Sequence, residues 1–121
     1  MATRRKTLLL LLVVEFCIGC RPTASPVDMP KAKQSLIAAL DAWKRGEKLE
    51  SLKPVVVQDM DWSAGAMLVS YELAGDAKDD TFSLRCPVKL KLVAEGKEVE
   101  RSVTYTVGTS PVTTVFREFS M

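Results

Sequence analysis

Residues 82–107, Phe-Ser-Leu-Arg-Cys-Pro-Val-Lys-Leu-Lys-Leu-Val-Ala-Glu-Gly-Lys-Glu-Val-Glu-Arg-Ser-Val-Thr-Tyr-Thr-Val, decide the fold. Phe82, Leu84, Cys86, Val88, Leu90 and Leu92 alternate with Ser83, Arg85, Pro87, Lys89 and Lys91. A period of two describes a strand with one buried face and one wet face. Gly96-Lys97 then turns the chain into Val99, Arg101, Val103, Tyr105 and Val107, set against Glu98, Glu100, Ser102, Thr104 and Thr106. Pro87 has no amide to give a ladder, so it marks a bulge or an unpaired outer side. Arg101 interrupts an apolar phase. Either it snorkels to the rim of the sheet or it faces a polar opening on the inner side.

Working outward, Met67, Val69, Tyr71 and Leu73 are read as an apolar phase against Leu68, Ser70 and Glu72. Val55–Val57 is a short β-branched run, and residues 112–116 close the sheet after a turn at 108–111. Before the strands the period changes to that of a helix. Asp28 can cap it, Pro30 sits harmlessly in its first turn, and Gly46 ends it. Ala32, Leu36, Ile37, Leu40 and Trp43 form its apolar stripe. The expected architecture is one α+β domain over residues 30–121, an N-terminal amphipathic helix packed on a curved antiparallel sheet of four to five strands. Leu36, Ile37, Leu40, Trp43, Leu84, Cys86, Val88, Leu90, Val103 and Tyr105 are its expected core.

The first twenty residues are of a different kind. Arg4, Arg5 and Lys6 precede the apolar run Leu8–Val14, and the stretch ends in Cys17-Ile18-Gly19-Cys20. A positive segment, an apolar segment and small residues at a cleavage point are the three parts of an export signal. The uninterrupted run is far shorter than the roughly 20 residues that span a bilayer, and Glu15 breaks its continuation. The order resembles a bacterial lipoprotein signal peptide over residues 1–19. That resemblance implies acylation of Cys20 as the mature N-terminus, residues 20–29 as the lipidated cysteine and tether, and a place on a membrane of the cell envelope or periplasm. Ordinary signal cleavage nearby, releasing a free secreted domain, is the alternative.

The leader holds three basic residues (Arg4, Arg5, Lys6) and one acidic residue (Glu15) of the chain's 17 and 15, so the remainder is balanced at 14 each. A balanced domain speaks against a nucleic-acid partner and against salt-steered binding to anionic lipid. With Cys17 removed and Cys20 acylated, Cys86 stands alone and no disulfide forms. Its place in an apolar phase reads as packing rather than reactivity.

Helix before meander is similar to the cystatin-like and nuclear-transport-factor-like group of folds over roughly residues 30–117, a likeness of element order without a motif. Ala42-Trp43-Lys44-Arg45-Gly46, Asp61-Trp62-Ser63-Ala64-Gly65, Leu84-Arg85-Cys86-Pro87-Val88 and Val107-Gly108-Thr109-Ser110-Pro111 together resemble small lipoproteins of planctomycete-type bacteria. That family carries no assigned activity, so the likeness implies location and fold rather than mechanism.

The chain has no histidine, which removes the commonest general base, Ser-His and Cys-His nucleophile pairs, and histidine zinc sites. Asp59-Met60-Asp61 has the alternate acid spacing of a calcium loop without its completing glycine or glutamate. Asp76, Asp79 and Asp80, with Lys78 among them, read as a solvated hairpin loop. No metal and no cofactor is expected. Trp62, Tyr71, Tyr105 and Arg101 are the candidates to line a ligand pocket between helix and sheet. In the nuclear-transport-factor group an isomerase-like site pairs a tyrosine with an acid, and the nearest such pieces are Tyr71, Tyr105 and Asp61. The leading expectation is a lipid-anchored accessory protein of the cell envelope. It is read as a non-catalytic binding or interaction module for an unknown envelope protein or small ligand, held to the membrane through Cys20. The alternative is a small hydrolase or isomerase with a carboxylate/tyrosine site in the sheet cavity.

Overall fold

The computed structural model describes residues 25–119; the leader and Cys20 lie outside the described residues. Helix α1 (Met29–Lys44) opens the domain, and the Asp28 side chain accepts from the Lys31 amide at 3.1 Å as its cap. Pro30 lies in the first turn, and Gly46, at φ +80°, follows the end of the helix in the left-handed region that a side chain disfavours. A 3₁₀ turn (Leu49–Leu52) leads to strand β1 (Val56–Gln58), the single-turn helix α2 (Met60–Ser63) and strand β2 (Met67–Leu73). Strands β3 (Lys78–Asp79), β4 (Leu84–Ala94), β5 (Lys97–Gly108) and β6 (Thr114–Arg117) complete the chain. Among the described residues no helix is long and apolar enough to cross a membrane.

The sheet order is β1-β6-β5-β4-β2, with β3 pairing β4 beside β2. The long β4–β5 hairpin runs in unbroken register from Leu84↔Val107 to Ala94↔Lys97, and its two-residue loop places Glu95 and Gly96 at positive φ. That is the turn whose twist matches two antiparallel strands. Pro87 falls where β4 changes its outer partner, from β3 at Leu84 and Arg85 to β2 from Val88 onward. The ladder is interrupted there, as a residue without an amide requires.

The α+β layout holds, and the sheet differs from the expected four to five antiparallel strands. It has six strands, and β1 pairs β6 in parallel, Val57 beside Val115. Local alternation identifies a strand but carries no sign of its partner's direction, and here the first strand lies beside the last, far from it in sequence. The loop read through Asp79 contributes the two residues of β3.

Strand β2 departs from its expected phase. The register shifts between Leu68 and Ser70, so Val69 is the extra residue of a bulge. Leu68 is buried, Met67 is 66% exposed and Val69 is also exposed, whereas the expected phase had the last two facing inward. After the bulge Tyr71 and Leu73 do face the core. In α1, Ile37 is only half-buried, and Ala39 and Ala42 take its place in the core beside Ala32, Leu36, Leu40 and Trp43. Small residues on that stripe let α1 lie close to the sheet. The remaining expected core residues are buried, joined by Trp62, Leu68, Leu92, Val107 and Val115.

Candidate functional site

Three adjacent strands bring the ionisable residues of the inner face level with one another. Tyr105 is paired with Arg117, and the parallel β1–β6 register carries Asp59, one residue past β1, to the same level. Residues in phase with Val57, Val107 and Val115 would ordinarily be apolar. Here they are an aspartate 4% exposed, a buried tyrosine and an arginine that is nearly enclosed.

A charged group in such a place is stable only when paired and hydrogen-bonded. Asp59 Oδ1 accepts from Arg117 Nη1 at 3.1 Å and, as the cap of α2, from the amides of Asp61 (3.0 Å) and Trp62 (3.2 Å). Its Oδ2 accepts from the Tyr105 hydroxyl. Arg117 also donates to Asp61, and Arg101 Nε lies 3.0 Å from Asp61 Oδ2. Two carboxylates, two guanidiniums and a protonated phenol leave the cluster neutral. Arg101 thus faces a polar spot on the inner side, one of the two places its phase allowed.

Burial and then the Asp59 carboxylate push the Tyr105 hydroxyl far above the ordinary tyrosine range. Burial pulls the Arg117 guanidinium down, and its bonds and attraction to Asp61 and Asp59 together outweigh that, so its pKa rises. Both groups are locked in the protonation states they already hold near neutral pH.

The other candidates lie apart from this cluster. Tyr71 donates to Asp41 Oδ1 at 2.8 Å, and Lys44 sits 5.9 Å from its ring centre. Burial and Asp41 hold its pKa up to about 12. Trp62 stacks on Trp43 with ring centres 5.2 Å apart and planes 3° from parallel. Their indole N–H groups donate to the carbonyls of Glu47 (3.0 Å) and Ala66 (2.8 Å). The structure therefore brings Arg101 near Tyr105 through Asp61, sets Tyr71 and Arg101 along one open depression, and leaves Trp62 at another. Tyr105 meets Asp59 rather than Asp61.

An open depression of about 450 Å³ borders the tryptophan pair, between Gly46–Glu50 and residues 62–67. A second, of about 820 Å³, lies along the sheet, lined by the expected pocket residues Tyr71 and Arg101 with Ser70, Glu72, Lys89 and Glu100 among others. Neither is lined by Asp59, Asp61, Tyr105 or Arg117. Among the described residues every buried side-chain nitrogen and oxygen has a hydrogen-bond partner, and no group of three potential ligands is placed to hold a metal ion. Asp79, in the acidic loop, accepts from the Thr81 amide at 2.9 Å. Cys86 is buried beside Tyr105 in register, and burial pushes its thiol up.

Sequence reasoning missed Asp59 and Arg117 as partners. Arg117 carries the same signal as Arg101, a cation in the apolar phase of a strand, and Asp59 is an acid two residues beyond Val57 in the same alternation. No known protein family, no curated protein and no solved structure matches this chain.

Proposed function

We propose that this protein is a lipid-anchored accessory module of the cell envelope, a non-catalytic binding or interaction domain held to the membrane through Cys20. In this reading the helix-on-sheet arrangement is cystatin-like, and the chain is akin to the small lipoproteins of planctomycete-type bacteria. The observation that carries it is the closure of the Asp59–Tyr105–Arg117–Asp61 cluster. An acid–base site needs a carboxyl or phenol with an open side where a reacting atom can sit. Here the phenol is spent on Asp59, and Asp59 on Tyr105, Arg117 and two amides. Neither depression reaches them. The cluster behaves as a polar staple that ties β1, β5, β6 and α2 together, which leaves recognition to the surface.

Complementation of cells lacking the protein separates the two classes. The module reading expects Cys20→Ser to lose function through loss of location, and Tyr105→Phe, once shown to fold, to retain it. A folded Tyr105→Phe protein that reaches the membrane and fails to complement would put chemistry in the cluster and overturn the reading.

A further inference from the structure

The chain enters the domain at one end of the sheet and is fastened there. The Ser25 amide donates to Ser110 Oγ (3.2 Å), the Val27 amide to the Thr81 carbonyl (2.8 Å) and the Asp28 amide to Thr109 Oγ1 (3.0 Å). These bonds gather the entry segment, the bend before β4 and the β5–β6 loop into one place. The Leu84↔Val107 pairing puts the start of β4 and the end of β5 at this end, with the Glu95-Gly96 turn at the other.

Four large apolar side chains are exposed at the entry end: Phe82 at 57%, Val112 at 50%, Val56 at 43% and Met29 at 41%. At the hairpin end Glu95, Lys97 and Glu98 are exposed, together with Met67 beside Val93 on the neighbouring strand. Isolated exposed apolar residues are ordinary: Met67 and Val69 lie toward the hairpin end, and Met60 and Phe119 are exposed as well. What sets Phe82, Val112, Val56 and Met29 apart is their distance from Cys20. Five residue steps separate Cys20 from Ser25, a reach of at most about 18 Å when fully extended. The twelve residues of β5 make the sheet about 35 Å or more in the strand direction. A lipid on Cys20 therefore keeps the entry end beside the bilayer and excludes a domain that stands on its hairpin end.

We infer that the entry end, through Phe82, Val112, Val56 and Met29, docks on the lipid bilayer, its apolar side chains seated at the headgroup boundary. The inference rests on the reading of Cys20 as the anchored residue. Lys31, Lys33 and Lys78 share this end with Asp79 and Asp80, so the contact is apolar partitioning and not attraction to anionic headgroups. Apolar area this small does not hold a domain on a membrane alone. It suffices here because the anchor makes the encounter intramolecular, at high effective concentration. The consequence is orientation: the charged hairpin end points away from the membrane, and the domain stands upright.

The full acylated chain is reconstituted into vesicles of phosphatidylcholine brominated along its acyl chains, with lipid on Cys20 checked by intact mass. Phe82→Trp and, independently, Val112→Trp report at the entry end, Lys97→Trp at the hairpin, and wild type supplies the signal of buried Trp43 and Trp62. The expected result is bromine quenching of the added emission at positions 82 and 112, none at 97, and no relief by high salt. Acylated protein with no quenching at 82 or 112, or with equal quenching at 97, overturns the orientation and leaves the anchor standing. A mass without lipid overturns the anchor, and the orientation argued from it falls too.

Discussion

Asp59→Ala removes, in one step, the acceptor of the Tyr105 hydroxyl, one of the two carboxylates on Arg117 and the cap of α2. Breaking a buried ion pair from one side costs about 3–5 kcal/mol, because the remaining charge stays in a dry site. The lost cap alone is worth about 1 kcal/mol and an orphaned buried hydroxyl about 1–3 kcal/mol. These effects overlap, and Asp61 still holds Arg117, so the expected loss is about 3–4 kcal/mol. Against a total of about 5–15 kcal/mol for a small domain, that is a large fraction. At about 4–8 °C per kcal/mol, the melting temperature should fall by roughly 12–30 °C. Urea unfolding in a Cys20→Ser background, followed by circular dichroism and by tryptophan emission from the stacked Trp43–Trp62 pair, measures the loss. Tyr105→Phe alone should cost about 1 kcal/mol. The double variant should lose less than the sum by about 1 kcal/mol, since the second change deletes the hydroxyl that the first orphaned. A loss below about 1 kcal/mol for Asp59→Ala, or strict additivity in the double variant, would refute the staple.

Leu40→Ala, at a fully enclosed position where α1 meets the sheet, should cost about 2–5 kcal/mol in the same urea assay, and a loss below about half a kcal/mol would show that the stripe is not buried. Tyr71, held up to about 12, and Tyr105, held higher, both exceed the unfolded value of about 10. Unfolding therefore releases phenolic protons above that pH, and the stabilisation, complete below about pH 10, declines as pH rises. The advantage of wild type over Tyr105→Phe should shrink as pH rises above about 10; a constant gap there would contradict the raised Tyr105. Burial pushes the Cys86 thiol up, with Lys33 only partly opposing it, so a thiol reagent should label the folded domain slowly and the unfolded chain fast. Rapid labelling of the native protein near neutral pH would revive a thiol function.

The helix with its cap, the β4–β5 hairpin and most of the core were legible because each depends on neighbours in sequence. Asp28, Pro30 and Gly46 bound α1, and an unbroken alternation from Leu84 to Leu92 defines β4. The bulge at Val69 was not legible: Met67, Leu68 and Val69 are all apolar, so neither phase is marked until Leu68 packs under the helix. The parallel pairing of β1 with β6 joins segments more than fifty residues apart, and no local pattern encodes it. The staple depends on that pairing, so the sequence offers Tyr71, Tyr105 and Asp61 as pieces without showing that the acid Tyr105 meets is Asp59. The signal that did exist was the cation in an apolar phase. At Arg101 it allows either the rim of the sheet or a polar spot on the inner face; the same signal at Arg117 marks the centre of the cluster.

If the domain works as an anchored module, the mass of the mature chain records it. Protein isolated from the membrane fraction, measured intact and after digestion, should lack residues 1–19. It should begin at Cys20 and carry diacylglyceryl and acyl mass on that residue. A chain that retains Met1, or that begins elsewhere with an unmodified Cys20, would contradict the account.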